Sequence, residues 1–127
     1  MPVITIRALP QPSIGRAEIT RVLSAVSVAA AHAFGVPGRQ VWSTWQDIGP
    51  GHYVEGAEPA SEQPPDTHPP LVDVVAFHGR GEEMIAAALE AIAAAIAREL
   101  GLDPANVFIT YTEGKPGRVF SGGAVLR

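Results

Sequence analysis

The chain has 127 residues, of which 46% are hydrophobic and 17% charged. That is enough apolar material for one packed domain, and too little charge for a disordered chain. Nine Lys and Arg against 13 Asp and Glu leave a net charge of −4, which gives no electrostatic reason to expect a nucleic-acid partner, and the lack of cysteine excludes disulfides, thiolate zinc sites and cysteine nucleophiles.

In chain order, Pro2-Val3-Ile4-Thr5-Ile6-Arg7-Ala8-Leu9 reads as a strand, from its β-branched content and partial alternation. Pro10, Pro12 and Gly15 break it. A helix is predicted from about Ala17 to Phe34, with Ile19, Leu23, Val26, Ala30 and Phe34 on one face. Gly35 and Pro37 end it, and Val41 to Trp45 forms a second strand. The order then recurs. Leu71 to Phe77 is a strand, and 82–100 is an alanine-rich helix with Ile85, Leu89, Ile92, Ile96 and Leu100 facing inward. Val107 to Tyr111 is a strand, 114–117 a turn, and 119–123 a short closing strand or hairpin. His32, among alanines of the first helix, reads as a partly buried structural residue. The four scattered histidines lack the paired spacing of a metal site, and no metal or cofactor is expected.

The two halves are copies of one pattern. Positions 19 and 85, 23 and 89, 26 and 92, 30 and 96, and 34 and 100 all differ by 66, whereas Pro2 matches Pro70 at an offset of 68. The chain therefore divides into a first strand–helix–strand unit (1–54), a Pro-rich connector (55–69) that reads as unpacked, and a second unit (70–127), together one domain. Each unit's strands should be parallel, because a crossover helix joins them. The expected fold is α+β: a tandem β-α-β repeat with a four-stranded mixed sheet and both helices on one face. Apolar residues occur at both parities of the strands, so the bare sheet face is expected to meet other subunits.

Pro2 follows Met1 directly. A small residue at position two lets aminopeptidase remove the methionine, and the chain would then start with a secondary amine. Partial burial and a nearby cation lower the pKa of such an amine and make it a base at neutral pH. Met-Pro alone is a common start; the repeat gives it weight.

Pro2-Val3-Ile4-Thr5-Ile6, the duplication, Gly79-Arg80, Thr112-Glu113 and Gly122-Gly123 together resemble the tautomerase superfamily over nearly the whole chain. The second unit is similar to a single-unit 4-oxalocrotonate tautomerase. The overall length, the connector and the helix end Ala33-Phe34-Gly35-Val36-Pro37 look more like malonate semialdehyde decarboxylase. The resemblance implies that Pro2 is the catalytic amine, that Arg80 binds a substrate carboxylate, that His78 stands where related decarboxylases carry a second arginine, and that Phe120 is a pocket wall. Pro70 aligns with Pro2, but its nitrogen is an amide, so one site per chain is expected. Trp42 and Phe108 occupy the position of another family arginine, and Gln40 replaces an acid that activates water. These departures favour proton transfer over hydration.

The expectation is a cytoplasmic, cofactor-free tautomerase acting on a small 2-keto or enol acid. It would be a homotrimer with no membrane or nucleic-acid partner. Alternatives are a decarboxylase, hydratase or dehalogenase of a 3-carbon acid at the same site, or a trimeric scaffold with a vestigial proline.

Overall fold

The computed structural model describes residues 1–12 and 16–127. The break expected at Gly15 lies outside them. Eight strands and two α-helices follow one another: β1 (Val3–Ala8), α1 (Arg16–Phe34), β2 (Trp42–Asp47), β3 (Val54–Glu55), β4 (Glu58–Pro59), β5 (Leu71–Phe77), α2 (Glu82–Leu100), β6 (Phe108–Gly114), β7 (Val119–Ser121) and β8 (Ala124–Leu126). A 3₁₀ turn, Gly38–Gln40, leads into β2.

The main sheet has the order β2-β1-β5-β6. β1 pairs with β2, and β5 with β6, in parallel; β1 and β5 are antiparallel, with Val3 opposite Val75 and Arg7 opposite Leu71. Two β-α-β units are thus joined through their first strands. The expected four-stranded mixed sheet is present.

Alternation sorts the central strands into two faces. Ile4, Ile6 and Ala8 of β1 and Val72, Val74 and Ala76 of β5 are buried against the helices. The helices meet them with Val22, Val26, Ala30 and Phe34 from α1, and Ala88, Ile92, Ala95 and Ile96 from α2. Fully burying an isoleucine contributes about 1.5–3 kcal/mol, so this layer dominates stability. The buried stripe is rotated slightly from the expected one. Val22 and Ala88 are at its centre, with Leu23 and Leu89 at its margin. The 66-residue offset still relates Val22 to Ala88, Val26 to Ile92, and Ala30 to Ile96. His32 is exposed, contrary to expectation, because it points away from the stripe that its neighbours Ala31 and Phe34 occupy.

Both helices end alike. Gly35 and Gly101 adopt the left-handed conformation, with φ 66° and 67°. The next N–H turns back into the helix, Val36 to Ala31 O at 3.0 Å and Leu102 to Ala97 O at 2.9 Å. Only glycine takes this backbone without strain.

The open sheet face is mixed rather than apolar. Trp42 and Phe108 are 51% and 54% exposed at its edges. Between them, Asp73 accepts hydrogen bonds from Arg7 at 3.4 Å and from Thr110 at 3.0 Å.

The connector is a packed element, which corrects the reading of 55–69 as an unpacked spacer. β3 and β4 form a hairpin, and Gln63 and His68 are buried. The Gln63 amide nitrogen donates to His68 O at 2.8 Å and Pro64 O at 2.9 Å, and its backbone N–H donates to Pro10 O at 2.9 Å. His68 Nε2 meets Glu58 O at 2.8 Å. Proline-rich composition does suggest a spacer. Here buried side-chain hydrogen bonds satisfy its carbonyls and tie it down.

Ile92 is fully buried between helix and sheet. Ile92→Ala is expected to cost about 2–5 kcal/mol in urea unfolding, whereas Val28→Ala, at a side chain 70% exposed, should change stability by under about 0.5 kcal/mol.

Candidate active site

Antiparallel pairing of β1 with β5 brings the start of the chain to the end of β5. A cavity of about 510 Å³ opens there. It is lined by Met1, Phe34, Phe77, His78, Gly79, Arg80, Gly81, Met84 and Leu126. Residues from both β-α-β units and from the closing hairpin contribute to it.

Pro2 is fully buried directly behind Met1. Its carbonyl accepts the Trp42 N–H at 3.0 Å, as the Pro70 carbonyl accepts the Phe108 N–H at 3.1 Å. The two prolines are therefore held by the same bond in the two copies.

Arg80 sits in the loop between β5 and α2. Gly79 before it has φ 108°, a backbone that side-chain-bearing residues avoid. The Arg80 guanidinium lies over the ring of Phe34, 4.8 Å from its centroid, and donates to Phe77 O at 3.1 Å. A face contact and a backbone contact thus restrain one cation at the cavity wall. Its remaining N–H groups are suited to a planar carboxylate. His78 lines the same cavity, with its ring edge-on to Phe77 at 4.8 Å. Its backbone N–H donates to Gly114 O at 3.0 Å, which pins the loop to β6.

Met1, His78 and Arg80 thus meet at the cavity, with Pro2 buried next to Met1 in the chain. Phe120 does not join them within the chain. It is 72% exposed on β7, and Leu126 of β8 lines the cavity instead. Phe34, Phe77 and Met84 form apolar walls that sequence reading did not assign to the site. Phe34 read only as a helix-face residue, and its proximity to Arg80 follows from the sheet order. Trp42 and Phe108 lie on the open sheet face, away from the cavity lining. Gln40 is exposed in its 3₁₀ turn. Asp47 accepts a hydrogen bond from Trp45 Nε1 at 2.9 Å and is exposed. Among the described residues, no carboxylate lines the cavity.

The α-amine of Met1 is held below its ordinary pKa of 8.0, first by burial and then by the charge of Arg80. Both act in one direction. Burial withholds water from the ammonium, and the guanidinium repels it, so the neutral amine is favoured. An NMR titration of the labelled α-amine should therefore give a midpoint below 8.0. In Arg80→Ala the midpoint should rise but stay short of the ordinary value, since burial remains. A midpoint at or above the ordinary value in the unaltered chain would contradict this electrostatic picture.

No family model matches the sequence, and no curated protein matches it. Solved structures match the fold closely. A wild-type fused 4-OT, described as an asymmetric trimer, superposes with a TM-score of 0.84 at 15% identity, covering 97% of this chain and 94% of that one. N1, a member of the cis-3-chloroacrylic acid dehalogenase family, gives 0.77 at 18% identity, covering 98% and 83%. A malonate semialdehyde decarboxylase gives 0.73 at 22% identity, covering 94% and 90%. The chain therefore has the fold of fused 4-OT, shared by these dehalogenase-family and decarboxylase structures.

Proposed function

We propose that the chain is a cofactor-free tautomerase that moves a proton between the oxygen and carbon of a small enol or 2-keto acid. The observation that carries this reading is the chain-start amine lying in a cavity with Arg80, where its surroundings favour the neutral form. Once Met1 is removed, the Pro2 nitrogen becomes that amine.

The roles follow from the chemistry. Arg80 holds the substrate carboxylate through charge-assisted hydrogen bonds. The Pro2 nitrogen accepts the enol hydroxyl proton, and the resulting ammonium returns a proton to the adjacent carbon, so that enol becomes ketone with no net change in the enzyme. Phe34, Phe77 and Met84 keep the site apolar, which supports a lowered amine pKa. His78 offers a second, weaker contact for an anionic group. The lining among the described residues, which holds no carboxylate, favours this reading over hydration or dehalogenation, which need an activated water.

The assembly in this reading is a homotrimer. Its support is the trimer described for fused 4-OT, together with Trp42 and Phe108 exposed on the open sheet and Phe120 exposed on the closing hairpin. Phe120 then acts as a pocket wall only by reaching a neighbouring subunit.

Protein lacking Met1 should ketonise phenylenolpyruvate. Pro2→Ala should lower that rate by about 10²–10⁴-fold, the usual value of positioned proton transfer, and retention of Met1 should abolish it. Unchanged rates in both forms would sink the mechanism.

Sedimentation should give three times the chain mass of 13.3 kDa. A monomer at micromolar concentration would remove the trimer and the role of Phe120.

A further inference from the structure

Tyr111 lies on β6 opposite Val74, with its side chain packed against the buried core. Its ring approaches Phe34, with centroids 6.3 Å apart. Its hydroxyl oxygen is buried and has no hydrogen-bond partner among the described residues. A buried hydroxyl is normally paired, and an orphan needs a reason. Burial pushes the hydroxyl above the ordinary phenol pKa, and the guanidinium of Arg80 opposes that shift. The Arg80 guanidinium lies over the same Phe34 ring, 4.8 Å from its centroid, so the tyrosine and the cation share one neighbour.

The internal repeat supplies a control. Position 45, 66 residues earlier, holds Trp45, which is also half-buried against the core. Its polar atom is fully used, since Nε1 donates to Asp47. An aromatic ring is what packing requires at both positions. Where the cavity has its arginine, the aromatic carries an unpaired oxygen. Phe34, under the guanidinium, is likewise replaced at the equivalent position by Leu100.

We propose that Tyr111 is a positioning residue for Arg80: its hydroxyl oxygen is the polar stop that, with the Phe34 ring and the Phe77 carbonyl, sets the guanidinium at the angle from which it receives a substrate carboxylate. This rests on the assignment of Arg80 as the carboxylate-binding group. It explains why a partnerless hydroxyl is kept in the core. The hydroxyl is poised to accept a guanidinium N–H when a bound acid draws Arg80 into place.

The test compares cinnamate with cinnamamide, which have the same shape and differ in the charge of the head group. Titration calorimetry of the purified chain measures both affinities, and thermal melting measures stability. The chain should prefer cinnamate, and Arg80→Ala should erase that preference. Tyr111→Phe should weaken cinnamate about tenfold, in keeping with the loss of a hydrogen bond to a charged group. It should leave cinnamamide unchanged and the Tm equal or higher, because an unpaired buried hydroxyl has been removed. If Tyr111→Phe keeps the preference that Arg80→Ala loses, the positioning role is wrong and the Arg80 assignment stands. If Tyr111→Phe weakens both ligands equally and lowers the Tm, Tyr111 is a packing residue and the proposal is overturned. If the unaltered chain has no preference, or Arg80→Ala keeps it, the Arg80 assignment fails and the Tyr111 role falls with it.

Discussion

The antiparallel pairing of β1 with β5 is the constraint on which the rest of the molecule depends. Each β-α-β unit alone is parallel and would leave an open edge beside its first strand. Pairing those two edges makes one sheet with one buried layer. It also determines which chain segments become neighbours. Because the strands run in opposite directions, β1 begins where β5 ends. Met1 is thereby set beside Phe77, His78 and Arg80 at the cavity. Phe34 reaches the same place because α1 ends above the sheet at that side. The cavity is thus a product of topology, and its cation, its apolar wall and its amine come from distant stretches of chain.

The same pairing creates a second, related location, where β5 begins and β1 ends. A cavity of about 390 Å³ opens there, lined by Gln11, Pro12, Gln63, Pro65, Arg98, Glu99, Leu100, Gly101 and Leu102. Leu100 stands where Phe34 stands in the first site, and connector residues take up much of the space. Gln63 is hydrogen-bonded to Pro10, and Asp103 N–H donates to Pro65 O at 2.9 Å. Asn106 Nδ2 donates to Thr67 O at 2.9 Å. The connector therefore binds the two units together at the end opposite the amine.

Much of this was legible in the sequence, and for a physical reason. Helices with a repeated apolar stripe, glycine stops at 35 and 101, and β-branched strands each report local rules, and the constant offset reported the duplication. The stretch Leu71–Phe77 matched the structure to the residue, and the helix expected over about 82–100 is there. Pro2 was raised by its place after Met1 and gained weight from the repeat, whereas Arg80 was singled out only through family resemblance, because nothing local marks a loop arginine as a partner of the amine. Phe34, Phe77 and Tyr111 were not assigned to the site at all. Their relation to Arg80 is tertiary, set by strand order and by the ring under the guanidinium. The connector was misread because its composition suggests a spacer, while its packing rests on two polar side chains, Gln63 and His68, whose partners are backbone carbonyls of the connector itself.

The matched hydrogen bonds of Pro2 and Pro70 carry one more consequence. Packing treats the two prolines alike: both are fully buried, and both offer a carbonyl to the strand at their side. In the proposed function, what would separate them is the removal of Met1, which frees the Pro2 nitrogen. The nitrogen of Pro70 is acylated by Pro69, whose carbonyl accepts the Tyr53 hydroxyl at 2.7 Å. In that reading, basicity depends on where the polymer is severed as well as on the environment that receives the amine. Cutting the chain ahead of Pro70 would create a second amine, but it would also loosen the connector that occupies the space beside it. The unbroken link from Pro69 to Pro70, held by the Tyr53 hydroxyl, thus serves as an internal brace.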